Sequence, residues 1–496
     1  MIALPKKLPM FYNALLLTAV NLVLRLVSTS FQVFISGRLG AAGVGLLQLV
    51  LSVGSLAMTA GMAGIRTATM YLTAEELGKK RPQNVTWVLR GCLLYSLICS
   101  GALSLGLQLA APWIAEVWIG EPATVGALRT FAVFLPVVCL CGCMTGYFTA
   151  ANRIGTLAAV EIGEQLCSMG VTVGALTLWA GEDPGKSCQA VVLGSGVGAC
   201  LTVICLLILR HREKAPRGMR IPVAARLVDT AVPLALADDL KIGINTAENL
   251  MVPRRLALYP SLIPPLAAFG TVCGMVFPVL MFPAAILFAL AELLIPELAR
   301  CAAADSQQRI RYLTGRSLRI ALLYGCLCFG ILHLLAGDLC SALYGSTEAG
   351  QHLALYAWLA PMLYCDAITD AMTKGLGQQK ICVRYNILTS ALDVALLYVL
   401  LPRFGMTGYF VSFLITHLLN FILSLRLLLK TAEIRLPLRE SGLTLAAALC
   451  AVAAAAMVTG WLWRLGAFLA VFGSLLTLLG VISRDDLSWL RGLVKK

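Results

Sequence analysis

Uninterrupted apolar runs of near 20 residues recur along the whole chain, separated by short polar or basic connectors. A helix rises about 1.5 Å per residue, so each run can cross roughly 30 Å of hydrocarbon. The runs predict spans at about 11–35, 44–70, 87–113, 129–150, 155–181, 188–210, 228–253, 264–297, 315–337, 353–374, 383–402, 405–429, 438–458 and 461–482. The run at 228–253 differs from the rest. In TAVPLALADDLKIGINTAENLMVPRR, Thr230 to Arg255, the residues Asp238, Lys241, Asn245, Glu248 and Val252 recur at three- and four-residue steps and share one helical face. Charges at membrane depth cost roughly 2.5 to 3.5 kcal/mol each on insertion scales, so this face is predicted to line a bundle interior or a hydrated cavity.

Other spans carry polar stripes. Asn21, Arg25, Ser28 and Gln32 share a face of the first span, and Gln48, Ser52, Ser55, Thr59 and Arg66 a face of the second. The hydroxyls are expected to bond within the bundle. Arg25 lies mid-span, where snorkelling is difficult, and is expected to meet an anion or a carboxylate. The eighth span holds Gly270, Gly274, Pro278 and Pro283, residues that loosen a helix for gating or pack closely against neighbours. Among the acids, Glu161 and Glu164 are three apart and repel if both ionise, so a raised pKa or a cation between them is predicted. Asp370 and Lys374, four apart, read as a structural ion pair, and Asp238 with Lys241 is open to the same reading. Asp239, Glu292, Asp366 and Asp393 complete the intramembrane acids.

The basic connector RHREKAPRGMRIPVAAR, Arg210 to Arg226, separates two six-span halves. It sets the expected organisation: a lobe at 1–210, a linker at 211–227, a second lobe at 228–430, and two further helices with a tail at 431–496. A shift of about 225 residues aligns Gly120 with Gly345 and Pro136 with Pro361, and sets AVFLPVV against AWLAPML without a gap. With an even number of spans per half, the copies share one orientation, and a substrate site is expected where they meet. The fold class is therefore an all-α polytopic membrane protein of about fourteen helices, two six-helix lobes about a pseudo-twofold along the membrane normal plus two C-terminal helices. By the positive-inside rule roughly four times as many Lys and Arg fall inside as outside, which puts both termini in the cytoplasm.

Composition agrees: 59% of residues are hydrophobic and 13% charged. The first run follows Lys6 and Lys7, continues past the length of a signal-peptide core and reads as a retained span. The net charge of +14 is expected to meet anionic headgroups, with no nucleic acid called for. Most of the 17 cysteines sit inside apolar runs as small hydrophobes, Cys139, Cys141 and Cys143 scatter around one helix, and no metal site is expected. The four histidines, His211, His333, His352 and His417, lack metal-ligand spacing, and there is no G-x-x-x-x-G-K-[ST] loop. No enzyme activity or cofactor is predicted.

Four segments, GRLGAAGVGLLQL from Gly37, GYFTAANRIGTLAAVEIGEQL from Gly146, ALYGSTEAG from Ala342 and FGMTGYFVSFLITH from Phe404, resemble the stage V sporulation protein B and polysaccharide-exporter branch of the multidrug/oligosaccharidyl-lipid/polysaccharide exporter superfamily. The resemblance is spread over essentially the whole chain. It implies two six-helix lobes forming a V, alternating access, and a polyprenyl-pyrophosphate-linked sugar carried to the outer leaflet for spore cortex or envelope polymers. It implies substrate contacts from Arg25, Arg66 and Lys241, with Arg254 and Arg255 at the outer exit and Gln32 and Asn245 on the same polar faces. Asp238, Glu248, Glu161 and Glu164 are then candidates for charge balance or for Na+ or H+ coupling. The arginine pattern of dedicated lipid II flippases is matched only by Arg25 and Arg66. Expected partners are the lipid-linked anionic oligosaccharide, membrane lipids and envelope-synthesis enzymes, the chain itself acting as a monomer. Competing readings are a multidrug cation antiporter, which wants an acidic, aromatic-lined pocket; a membrane-bound glycosyl- or acyltransferase, which wants a catalytic constellation; and a non-transporting scaffold for envelope synthases.

Overall fold

A computed structural model describes residues 10–79, 81–151, 153–181, 183–212, 224–434 and 438–481; most of the basic connector and the tail from Arg484 lie outside it. Every regular element among the described residues is helical. The first two predicted spans run on as α1 (Met10–Met62), which has one non-helical residue, Gly40, at φ 70° and ψ 173°. The predicted span 44–70 is cut short at Ala63 and Gly64, both at positive φ, before α2 (Ile65–Gly78) begins. Packing fixes the second glycine, because a Cβ there would stand 2.3 Å from the Ala231 carbonyl oxygen.

The first compact unit ends at Gly270. It continues with α3 (Pro82–Trp113), α4 (Val125–Ala150), α5 (Ile154–Ala175), α6 (Pro184–His211), α7 (Ala224–Leu256) and α8 (Pro265–Gly270). Proline opens α3 and α6, where its missing N–H costs nothing, and Asp183 caps α6 by accepting from the Gly185 amide at 2.9 Å. The core joins Ile65 and Leu72 of α2, Val88 and Cys92 of α3, Cys143, Met144 and Phe148 of α4, and Leu227 and Ala231 of α7. All seventeen cysteines are free thiols, and Cys92 and Cys143 fill this core as small apolar groups. Helix association in lipid depends on close van der Waals approach, and α1 meets α8 through glycines. A Cβ on Gly45 would lie 2.2 Å from the Leu266 oxygen, and one on Gly270 only 1.9 Å from the Ala41 oxygen.

The second unit runs from Thr271. It holds α9 (Phe277–Met281), α10 (Ala284–Ala303), α11 (Gln307–Tyr344), α12 (Thr347–Tyr356), α13 (Ala360–Gly375), α14 (Gln379–Ala432), α15 (Leu438–Ala456) and α16 (Trp461–Leu478). Like α1, α14 merges two predicted spans, across Gly405. By contacts the two C-terminal helices belong to this unit, packing on each other and on α11.

The predicted repeat has a local counterpart. Gly120 and Gly345 both end a helix in the left-handed region, at φ 86°, ψ 11° and φ 63°, ψ 20°. Gly181 and Gly405, offset by about the same 225 residues, share φ 59°, ψ −130° and φ 57°, ψ −138°. Only glycine enters that last region cheaply, so two copies of the same rare turn are hard to reach independently. Eight described helices are long and apolar enough to cross a membrane, or nine if the bent pair Pro265–Met281 and Ala284–Ala303 counts as one span. Fourteen segments are consistent with this, since α1 and α14 each carry two and the more polar α5 and α7 and the α12–α13 pair supply the rest.

Candidate functional site

The charged helix α7 packs on α1 through its less charged side. Thr246 Oγ1 donates to the Ser52 carbonyl at 3.1 Å, and Asn249 Nδ2 donates to Ser52 Oγ at 3.0 Å. These contacts leave Asp238, Lys241 and Asn245 exposed and Glu248 half-buried. Val252, predicted on the same polar face, is instead fully buried. Lys241 forms no ion pair among the described residues, so the alternative of an Asp238–Lys241 bridge does not hold. An exposed lysine on a helix at membrane depth needs water or an anion beside it.

Arg66 stands exposed at the start of α2, directly after the Gly64 turn. Its backbone is held against α4, where a Cβ on Gly146 would meet the Arg66 carbonyl at 2.4 Å. Arg66, Glu161 and Glu164 all act electrostatically on Cys141 of α4, and Arg66 acts on Glu161 directly. Glu164 is further satisfied by Thr202 Oγ1, which donates to its Oε2 at 2.6 Å.

The hydroxyls of the second-span stripe are occupied locally. Ser52, Ser55 and Thr59 donate to carbonyls of Gln48, Ser52 and Ser55 at 2.8, 2.9 and 2.9 Å. Gln32 is half-buried on α1; the Arg25 backbone is helical there, and its side chain lies outside the described set. At the end of α7 Arg254 is exposed and Arg255 half-buried, both favourably placed in the last turn of the helix dipole.

The proline- and glycine-rich span is broken, not merely loosened. After α8 come a π turn at Thr271–Val276 and the short α9, and the bend to α10 across Pro283 is 62°. Freed carbonyls inside a bilayer must be satisfied by the protein. Three tyrosines do this: Tyr344 donates to the Met275 oxygen at 3.2 Å, Tyr364 to Leu280 at 2.7 Å and Tyr324 to Pro283 at 2.8 Å. Gly270 is a packing residue of the α1–α8 crossing, Pro278 sits in the first turn of α9, and Pro283 precedes α10.

Other polar groups of the second unit stand out only in three dimensions. Asp370 and Lys374 form the predicted pair at 2.6 Å. Beside them Asn420 Nδ2 donates to Asp366 Oδ2 at 3.3 Å, joining α13 to α14. Asp393, 6% exposed, accepts from Ser412 Oγ at 2.6 Å and Thr416 Oγ1 at 3.1 Å. The one available signal for these was an isolated polar residue in an apolar helix, which gives no partner. No group of three metal-ligating side chains occurs among the described residues.

Comparison with known proteins gives a coherent set of likenesses. The MatE family matches residues 18–176. Stage V sporulation protein B of Bacillus subtilis (strain 168) is 21% identical over 506 aligned residues, covering 96% of each chain. The inward closed conformation of the lipid II flippase MurJ has a TM-score of 0.71 at 11% identity, over 95% of this chain and 99% of that one. An inward-facing multidrug resistance MATE family transporter of the MOP superfamily has a TM-score of 0.65 at 12% identity, over 84% and 97% of the two chains. At these identities the solved structures establish the fold.

Proposed function

We propose that this chain, a multi-pass membrane protein of the multidrug/oligosaccharidyl-lipid/polysaccharide exporter superfamily, is a flippase that carries a polyprenyl-pyrophosphate-linked sugar across the cytoplasmic membrane. The observation that carries the reading is Lys241, exposed on α7 and free of any carboxylate partner among the described residues. A cation in that position recognises an anion, and a pyrophosphate is the anion of a lipid-linked sugar. Arg25 on α1 is assigned the same role, with Arg254 and Arg255 at the exit. Asn245 and Gln32 are assigned to sugar hydroxyls, Asp238 and Glu248 to balancing Lys241 or to Na+ or H+ coupling. Arg66, exposed at the start of α2, is assigned to cargo phosphate as well, and Glu161 and Glu164 to charge balance or ion coupling.

The cargo moves from the cytoplasmic to the outer leaflet by alternating access of two six-helix lobes, with both termini cytoplasmic and envelope or cortex polymers as the destination. A multidrug antiporter is the second reading, since several similar structures are multidrug transporters. It is disfavoured because the exposed face of α7 carries a lysine and no aromatic ring. Binding of a labelled polyprenyl-pyrophosphate disaccharide to the purified protein tests the assignment. Lys241→Ala should weaken binding roughly tenfold or more, the scale of one charge-assisted contact, and Lys241→Arg should retain most of it. Equal affinity of wild type and Lys241→Ala removes Lys241 from the site.

A further inference from the structure

Ser52 is the point at which α1 holds the charged helix α7. Its hydroxyl donates to the Gln48 carbonyl at 2.8 Å and accepts from Asn249 Nδ2 at 3.0 Å, while its carbonyl accepts from Ser55 Oγ at 2.9 Å and from Thr246 Oγ1 at 3.1 Å. Thr246 is 2% exposed. Along α7, Lys241 stands between this node and a second anchor, the close approach of Ala231 to Gly64, where a Cβ would meet the Ala231 oxygen at 2.3 Å. Between the two anchors shape constrains little: a Cβ on Gly243 would find nothing nearer than Leu56 Cδ1 at 4.0 Å. The rotation of α7 near Lys241 is therefore set by directional bonds more than by packing.

We propose that Thr246 and Asn249, acting through Ser52, are positioning residues for Lys241, turning its ammonium toward the pyrophosphate of the cargo; this rests on the function proposed above. Helical steps of about 100° put Lys241 about 80° from Asn249 and about 140° from Thr246. With those two held on α1 the ammonium faces away from it, in keeping with the exposure of Lys241. A side-chain tip about 6 Å from the helix axis swings by about 3 Å when the helix turns by about 30°, the full length of a charge-assisted hydrogen bond. Bonds between helices in lipid are individually weak, so these two add little to the stability of the fold. What they add is direction, and Asn245, one turn further along α7, is turned with Lys241.

A double-mutant cycle on the purified full chain, followed as the affinity for a labelled polyprenyl-pyrophosphate disaccharide, is the test. Asn249→Leu keeps the bulk of the side chain and loses its bond. It should weaken binding roughly fivefold in the wild-type background and less than about twofold in the Lys241→Ala background. A residue that only supports the fold would lower affinity by the same factor in both backgrounds, and that result overturns the inference. Thr246→Val, nearly the same shape without the hydroxyl, runs the same cycle if Asn249→Leu fails to fold. Failure of the function and failure of the positioning role look different. Absence of binding by wild type, or wild-type affinity in Lys241→Ala, removes the proposed site and the positioning role with it, whereas a loss in Lys241→Ala that adds to the loss in Asn249→Leu removes the positioning role alone.

Discussion

Arg226 Nη1 lies 3.0 Å from Glu76 Oε1, and the same guanidinium places Nη2 2.7 Å from Glu75 Oε2. One side chain therefore ties the start of α7 to the end of α2. Asn84 Nδ2 completes the cluster at 2.9 Å from Glu76, whose side chain is only 3% exposed. Arg226→Gln leaves that carboxylate with one neutral donor and should destabilise the protein by about 2 kcal/mol, the range for a lost bond to a buried charge. Thermal unfolding in detergent should show the drop, and a second change, Glu76→Gln, should restore part of it. An unaltered midpoint in Arg226→Gln would show the bridge to be ornamental.

The tyrosines at the broken span make a graded series. Tyr364 is fully buried, and Tyr364→Phe strands the Leu280 carbonyl in a dry environment, for an expected loss of about 1–3 kcal/mol. Tyr324→Phe, at a partly buried bond, should cost less. The order of the two unfolding midpoints checks this, and a reversed order contradicts it.

Close helix approach makes a separate prediction. Gly270→Ala drives a methyl into the Ala41 carbonyl, which neither backbone can yield easily, and should cost about 1–3 kcal/mol. Gly163→Ala, on an open face of α5, should be neutral or slightly stabilising because it favours helix. Folded yield and thermal midpoint compare the pair, and equal behaviour would remove the α1–α8 contact from the explanation.

Gating concerns Pro283. If the 62° bend is a working hinge, Pro283→Ala should slow transport while binding of cargo stays as in wild type. An unchanged transport rate assigns the bend to packing alone.

Much of this architecture was legible in the chain because hydropathy and glycine placement are local signals. The apolar runs marked the helices, and the Gly120–Gly345 offset marked a repeat whose second shared turn, Gly181 with Gly405, emerged only as backbone angles. Asp370 and Lys374 paired as their spacing required. What the sequence hid was long-range. Arg226 finds Glu75 and Glu76 across 150 positions, and the three tyrosines find carbonyls, which carry no sequence signature at all. Helical periodicity put Val252 on the polar stripe, yet it is buried, since period alone cannot say where a neighbouring helix crosses. The hydroxyls of Ser52, Ser55 and Thr59 were expected to bond neighbouring helices, and they donate instead to carbonyls of their own helix.

The most direct test of the flippase assignment is translocation in proteoliposomes under an imposed membrane potential. A fluorescent polyprenyl-pyrophosphate disaccharide and a lipophilic cationic dye are offered in parallel, and arrival in the opposite leaflet or compartment is followed by quenching. Wild-type protein should accelerate the lipid-linked sugar and leave the dye at the rate of empty vesicles, and Lys241→Ala should abolish most of the acceleration. Dye movement with no effect on the sugar would contradict the assignment and favour a multidrug antiporter.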